Sequence, residues 1–169
     1  KDVLFKYSSS FLEKGHNISP LKLKFDGSVQ LAPANPFGGL FGVFADSLPD
    51  AWGYLLMKKH LSKKGIVMAN LNSLDRLTYL GSNALGALTY RPCIDKSSNE
   101  NFSIDLDLTD TNVKEVLKGE SSAVIDDMVK FGGSPGGARP KIYAQYNKEN
   151  DVLMSDTDVL QKGYEHWII

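Results

Sequence analysis

Residues 132–146 read GGSPGGARPKIYAQY, and they decide how the second half of the chain folds. Four glycines within 132–137 let the backbone approach an anion closely, and successive N–H groups in such a turn form a concave site for phosphate oxygens. Arg139 and Lys141 add positive charge, and Ser134 adds a hydroxyl. The alternating residues that follow predict a strand. The segment is therefore a candidate nucleotide-phosphate loop that leads into a sheet.

The same composition is also typical of a simple connector between two elements. The segment does not fit a Walker A loop, because Lys141 follows a proline and precedes an isoleucine. It does not fit the dinucleotide-binding G-x-G-x-x-G pattern either. The residues alone therefore leave two interpretations open, a phosphate loop and a surface turn.

The overall composition is that of an ordinary soluble globular protein, with 169 residues, 42% of them hydrophobic and 23% charged. The net charge of −1 gives no general attraction to nucleic acid or anionic membrane, so an anion site has to be local. The single cysteine, Cys93, excludes an internal disulfide, and without a Cys/His cluster no metal site is expected. Neither a signal peptide nor a membrane-spanning run is visible, so we expect a cytoplasmic protein with no membrane partner.

The first 45 residues are predicted to be rich in β-structure. Short apolar or alternating runs predict strands over 3–7, 21–25 and 29–31. A loop rich in proline and glycine follows, since these residues mark turns.

The most regular pattern in the chain predicts a helix from Ser47 to Gly65. Ser47 is the expected N-cap, Asp50 is expected in the first turn, where a carboxylate complements the helix dipole, and Gly65 is the expected stop. Trp52 lies on the apolar face and is interpreted as a core anchor. The four lysines near the end of this helix are interpreted as a solvated helix end rather than a nucleic-acid surface.

The rest of the chain is predicted to alternate between helices and strands. Helices are expected over 73–81, burying Leu74, Leu77 and Leu80, and over 110–118 and 121–131. Strands are expected over 85–90, 141–146, 152–154 and from Tyr164, with a hairpin turn at 147–151. The predicted class is α+β: a β-rich amino-terminal subdomain with helices over 1–94, a connector over 95–120, and the first strands of a kinase-like N-lobe over 121–169.

Four motifs in order resemble one family. The residues FGVFADSLPDAWG at 41–53 resemble the signature F-x-D-S-L-P-D-G-W-G of HipA-like serine/threonine kinases, with Ala51 in place of the usual glycine. The block at 74–92, the glycine loop at 133–141 and the strand HWII at 166–169 are similar to the family's next motifs. Because the last of these is an apolar run that stops mid-strand, we expect the chain to be an amino-terminal piece of a longer protein.

The resemblance implies the toxin of a bacterial type II toxin–antitoxin pair, which uses ATP and Mg²⁺ to phosphorylate serine or threonine. The implied partners are a helix-turn-helix antitoxin, through which DNA is reached only indirectly, and a protein substrate, an aminoacyl-tRNA synthetase in well-known cases. The implied nucleotide-phosphate loop comprises Gly133, Ser134, Gly136, Gly137 and Lys141, with Ser134 as the site of autophosphorylation. A phosphate on Ser134 would bring about two negative charges into a pocket meant for ATP phosphates.

No catalytic residue and no metal ligand is assigned to this chain. Phosphoryl transfer needs a lysine on the nucleotide, an aspartate for the hydroxyl proton, and an aspartate and an asparagine on magnesium. The resemblance places all of these after Ile169, so neither ATP nor Mg²⁺ is expected to be bound to this fragment. A second hypothesis therefore stays open, in which the chain is a stand-alone regulatory or interaction module that docks on or inhibits a separate kinase chain.

Overall fold

The structure, a computed structural model, describes residues 2–81, 84, 86–93, 103–105, 111, 114, 137, 139–155 and 159–169. They form helices and small antiparallel sheets, so the predicted α+β class is confirmed. The chain divides into two compact units, Lys1–Leu48 and Pro49–Ile169. The division at residues 94 and 120 that the sequence suggested stays a prediction.

The first unit is built around an aromatic core. Tyr7, Leu23 and Phe41 are buried there, together with Ala32. The ring of Tyr7 meets that of Phe5 edge to face, with 4.7 Å between centroids and 81° between planes. Such edge-to-face pairs stabilise beyond the area they bury, because the positive edge of one ring meets the negative face of the other.

Short elements surround this core. Strands β1 (Leu4–Phe5) and β2 (Gln30–Leu31) pair antiparallel, with Leu4 opposite Leu31. Helix α1 (Ser9–Leu12) is capped by the Ser8 side chain, and helix α2 (Gly42–Ala45) ends the unit. The strands predicted around β1 and β2 are therefore present but shorter than expected.

The strand predicted over 21–25 is wrong. The N–H groups of Lys22 and Leu23 both donate to the carbonyl of Ser19, which makes a turn. The side-chain amide of Gln30 then accepts from the N–H of Lys24 and donates to its carbonyl, both at 2.8 Å. A side chain thus satisfies the two backbone groups that a partner strand would have satisfied.

The second unit begins with helix α3 (Ala51–Lys63), which starts later than predicted and has Asp50 as its N-cap. Ser47 is not the N-cap, because its N–H donates to Phe44 and closes the turn that ends α2. The predicted stop at Gly65 is confirmed. The N–H groups of Gly65 and of the next residue donate back to the carbonyls of Ser62 and Leu61, at 3.0 and 2.9 Å, which is the Schellman arrangement.

Helix α4 (Ser73–Leu80) follows, after a 3₁₀ turn at Met68–Asn70. Asn72 and Asp75 form a reciprocal capping box at its start. Leu77 and Leu80 are buried as predicted, but the predicted burial of Leu74 is wrong, since the capping box keeps the first turn at the surface and Leu74 is 45% exposed.

The strand predicted over 85–90 is also wrong, because residues 86–90 have no regular structure. The N–H of Tyr90 donates instead to the carbonyl of Gly81 at 2.8 Å, so the chain returns to the end of α4. Within the predicted helix 110–118, the described residues Thr111 and Lys114 are helical. The predicted helix 121–131 lies outside the described residues.

The last third forms the predicted antiparallel sheet. Strands β3 (Tyr143–Asn147), β4 (Val152–Ser155) and β5 (Glu165–Ile168) lie in the order β4-β3-β5. The predicted hairpin turn is confirmed, and the Asn147 side chain accepts two backbone N–H bonds within it. The fully buried Gln145 side chain donates to the Val159 carbonyl and accepts from the Gln161 N–H, which fixes the segment that leads into β5.

Replacing Gly81 is expected to destabilise the protein more than replacing Gly65. Both residues end a helix with a positive φ, 56° and 72°. A Cβ on Gly81 would overlap the Cys93 Sγ, whereas a Cβ on Gly65 meets nothing within 4 Å. We therefore expect Gly81→Ala to lower the free energy of unfolding by about 1–3 kcal/mol more than Gly65→Ala, measured by urea denaturation.

The double variant Gly81→Ala, Cys93→Ala tests the cause of this difference. It removes the Sγ but leaves the Cys93 Cβ, which would lie 3.1 Å from the new methyl group. We expect a partial recovery of the unfolding free energy. Equal losses for Gly81→Ala and Gly65→Ala would contradict the steric explanation.

Gln145→Met is expected to destabilise the sheet. Methionine fills a similar volume but makes neither of the two hydrogen bonds, so the expected loss is about 1–3 kcal/mol by urea denaturation. The matched control is Gln161→Ala, which retains the backbone N–H that donates to Gln145 and should change stability by less than about 0.5 kcal/mol. A Gln145→Met variant as stable as this control would show that the buried amide does not hold the segment.

Candidate functional site

The described end of the glycine segment lies at the amino-terminus of α3. The N–H of Gly137 donates to the Asp50 Oδ2 at 2.7 Å, and the carbonyl of Gly137 accepts from the Trp52 N–H at 3.3 Å. Both backbone polar groups of Gly137 are thus held by the start of one helix. Three of the predicted loop residues lie outside the described residues: Gly133, Ser134 and Gly136.

The contact follows from the chemistry of a helix end. The first N–H groups of a helix have no partner within it, and Trp52 carries one of them, which Gly137 satisfies. As N-cap, Asp50 makes no side-chain bond to its own helix. Its carboxylate accepts from Gly137 instead, at a distance typical of a charge-assisted hydrogen bond.

The backbone at position 137 favours glycine over every other residue type. Its φ is 89°, a conformation that side chains disfavour. A Cβ there would also lie 2.9 Å from the Lys141 Nζ. The ammonium group of Lys141 therefore lies directly beside the loop backbone, on the side from which a side chain would project.

Helix α3 provides a fixed base for this contact. Trp52 is 1% exposed, which confirms the predicted core anchor. Leu56 and Leu61 are buried farther along the same helix. Because side chains of these sizes each contribute about 1.5–3 kcal/mol when fully buried, the first turn of α3 is held by its own packing.

On its other side the segment joins the sheet. Ile142 and Ile169 exchange backbone hydrogen bonds of 2.8 and 3.0 Å, so the chain is paired immediately after Lys141. Arg139 is exposed between these two anchors. A glycine with two cations within four positions suits an anion chemically. The Gly137 amide itself is engaged by Asp50 in this conformation.

A second polar cluster lies at the far end of β3. The Lys148 Nζ lies 2.8 Å from the Glu165 Oε2 and 5.9 Å from the centre of the Trp167 ring. The hydrogen bond from Lys148 lowers the pKa of Glu165, and the hydrogen bond to Asp151 raises the pKa of Tyr146. The charged members of this cluster, Lys148, Asp151 and Glu165, are exposed to solvent. Exposed ion pairs are screened by salt and contribute little stability, so we interpret the cluster as a set of contacts on the sheet surface.

The described residues hold no group of three or more His, Cys, Asp or Glu side chains placed to bind a metal ion. In the same part of the chain, no helix combines the length and the apolar character needed to cross a bilayer.

The HipA N-terminal domain family matches residues 1–91, which is more than half of the 169-residue chain. The chain belongs to the HipA N-terminal domain family. Neither the curated proteins nor the solved structures give a match. In this HipA-family protein Asp50 and Trp52 lie inside the matched range, and Gly137 lies beyond it. The two hydrogen bonds therefore join the HipA N-terminal domain to the glycine segment that follows it in sequence.

The partner of Asp50 is the feature that sequence reasoning missed. The sequence predicts only a favourable interaction between Asp50 and the helix dipole. Asp50 and Gly137 are 87 positions apart, and no local pattern relates them. The one available signal is that an aspartate beside the start of a helix often accepts a backbone N–H, without any indication of which one.

Proposed function

We propose that this HipA-family protein is the amino-terminal part of an ATP-dependent protein serine/threonine kinase, the toxin of a type II toxin–antitoxin pair. The observation that carries the proposal is the order of parts: a HipA N-terminal domain, a glycine segment anchored at Gly137, two cations and an antiparallel sheet. A glycine-rich loop at the start of such a sheet is how protein kinases cover the phosphates of ATP.

In this proposal the loop binds phosphate mainly through its backbone. The donors to phosphate are assigned to Gly133, Ser134 and Gly136, because successive backbone N–H groups in glycine-rich turns bind anions. Lys141 offsets the negative charge, and Gly137 ends the loop. Magnesium and the groups that transfer the phosphate are not assigned to any residue of this chain, so the catalytic step belongs to the full-length protein.

The proposed partners follow from the same assignment. A helix-turn-helix antitoxin would link the protein to DNA, and a protein with an acceptor serine or threonine, such as an aminoacyl-tRNA synthetase, would be the substrate. The proposed location is the cytoplasm, where ATP and such a substrate occur together.

Lys141→Gln in the full-length protein is expected to weaken ATP binding about tenfold. The substitution keeps a polar side chain, about one bond shorter, but removes a charged partner of the phosphates, and hydrogen bonds to charged groups contribute about 1.5–3 kcal/mol. Lys148→Gln is the matched control, because Lys148 pairs with Glu165 at the other end of β3. Calorimetric titration with ATP and Mg²⁺ measures both affinities.

Two outcomes would overturn the proposal in different ways. Equal affinities for the two variants would remove Lys141 from the phosphate site. A wild-type protein that binds no adenine nucleotide but binds a separate kinase chain would favour the interaction module instead.

Ser134 is expected to carry phosphate after incubation of the full-length protein with ATP and Mg²⁺. A phosphate there adds about two negative charges to the loop, so ATP affinity should fall as the modified fraction rises. Ser134→Ala should lose the label, found by peptide mass spectrometry, and keep its affinity for ATP. Full kinase activity in the wild type without any label on Ser134 would refute the assigned regulatory role.

A further inference from the structure

We infer that Asp50 is a positioning residue of the phosphate loop. By binding Gly137, Asp50 fixes the end of the loop, and this in turn fixes the backbone that leads to Lys141. The inference rests on the proposed function for the identity of the ligand, which is the phosphate tail of ATP. The contact itself depends only on the described geometry of Asp50, Trp52 and Gly137.

The first argument is the number of points at which Gly137 is held. One hydrogen bond lets a peptide swing about it, but here the N–H and the carbonyl of the same residue are both engaged, at 2.7 and 3.3 Å. Their partners, the Asp50 carboxylate and the Trp52 N–H, lie two positions apart at the start of one helix. Because the Trp52 side chain is buried, both partners are fixed relative to the protein core.

The second argument is the sign of the charge. A carboxylate beside a triphosphate would repel it, whichever loop donors were available. Asp50 is therefore unsuited to bind ATP itself and well suited to hold a backbone N–H. The ammonium of Lys141 lies beside Gly137, 2.9 Å from where a Cβ on that residue would be. Fixing Gly137 thus limits where that positive charge can lie.

The third argument is that Asp50 does not act as an ordinary helix cap. An N-cap aspartate ordinarily bonds to N–H groups of its own first turn, and Asp50 makes no such bond. The loss of its carboxylate therefore removes little from the stability of α3 itself. Serine is an equally good N-cap, but its shorter side chain cannot span the distance to Gly137.

The test compares three variants of the full-length protein. Asp50→Ser removes the contact and keeps a capping side chain. Asp50→Asn keeps an acceptor oxygen at the same length without the charge. Asp46→Ser is the matched control, because Asp46 is an exposed aspartate four positions earlier, outside α3.

Two quantities are measured for each variant. Amide hydrogen exchange at Gly137 is expected to become about tenfold faster in Asp50→Ser, with the melting temperature lowered by no more than about 4 °C, and to change less in Asp50→Asn. The KM for ATP is expected to rise about three- to tenfold in Asp50→Ser with kcat within about twofold, since a misplaced loop weakens ground-state binding of the nucleotide. Partial recovery of the KM in Asp50→Asn and no change in Asp46→Ser would support the role.

Each of the other outcomes would refute one step of the inference. Unchanged exchange at Gly137 in Asp50→Ser would refute the contact. Faster exchange with an unchanged KM would refute the positioning role while the proposed kinase stands. A wild type without any affinity for ATP would refute the proposed function and this role with it, whereas the exchange measurement would still report on the contact.

Discussion

Gly137 is bound to the start of α3 through both of its backbone polar groups, and the relation between helix, loop and sheet depends on this contact. The helix end contributes one N–H that has no partner within the helix and one carboxylate that makes no cap bond. Gly137 contributes the complementary carbonyl and N–H. Each group that would otherwise need water finds a protein partner, and the φ of 89° that brings them together is one that glycine adopts readily.

The features that were predicted correctly are those encoded within a few residues. Gly65 ends α3 because its own N–H and the next one bond back to the last turn, and the hairpin at 147–151 forms because Asn147 accepts N–H groups two and three positions later. The strand predicted over 21–25 failed for the opposite reason. Its backbone partner is the Gln30 side chain, which looks like an ordinary strand residue in the sequence.

The candidate site shows the same limit at longer range. Its glycines and cations could be recognised from composition, and the resemblance named Ser134, which remains a prediction. The attachment to Asp50 could not be recognised, because the helix start first had to be placed. The sequence suggested Ser47 as the N-cap and left Asp50 inside the first turn, where a carboxylate would only complement the dipole. With Asp50 itself at the N-cap, its carboxylate lies at the very end of the helix and can reach a neighbouring segment.

The later start of α3 explains what the D-S-L-P-D segment at 46–50 does in the HipA N-terminal domain. Pro49 disfavours a helical backbone at the residue before it, so α2 and α3 remain separate helices and α3 begins after Asp50. The carboxylate that this break exposes is the one that binds Gly137. A domain that ended at residue 91 would leave that carboxylate without Gly137. The contact is therefore an argument that α3, which the HipA N-terminal domain family includes, and the glycine segment belong to one structural unit, in which the helix supports the loop.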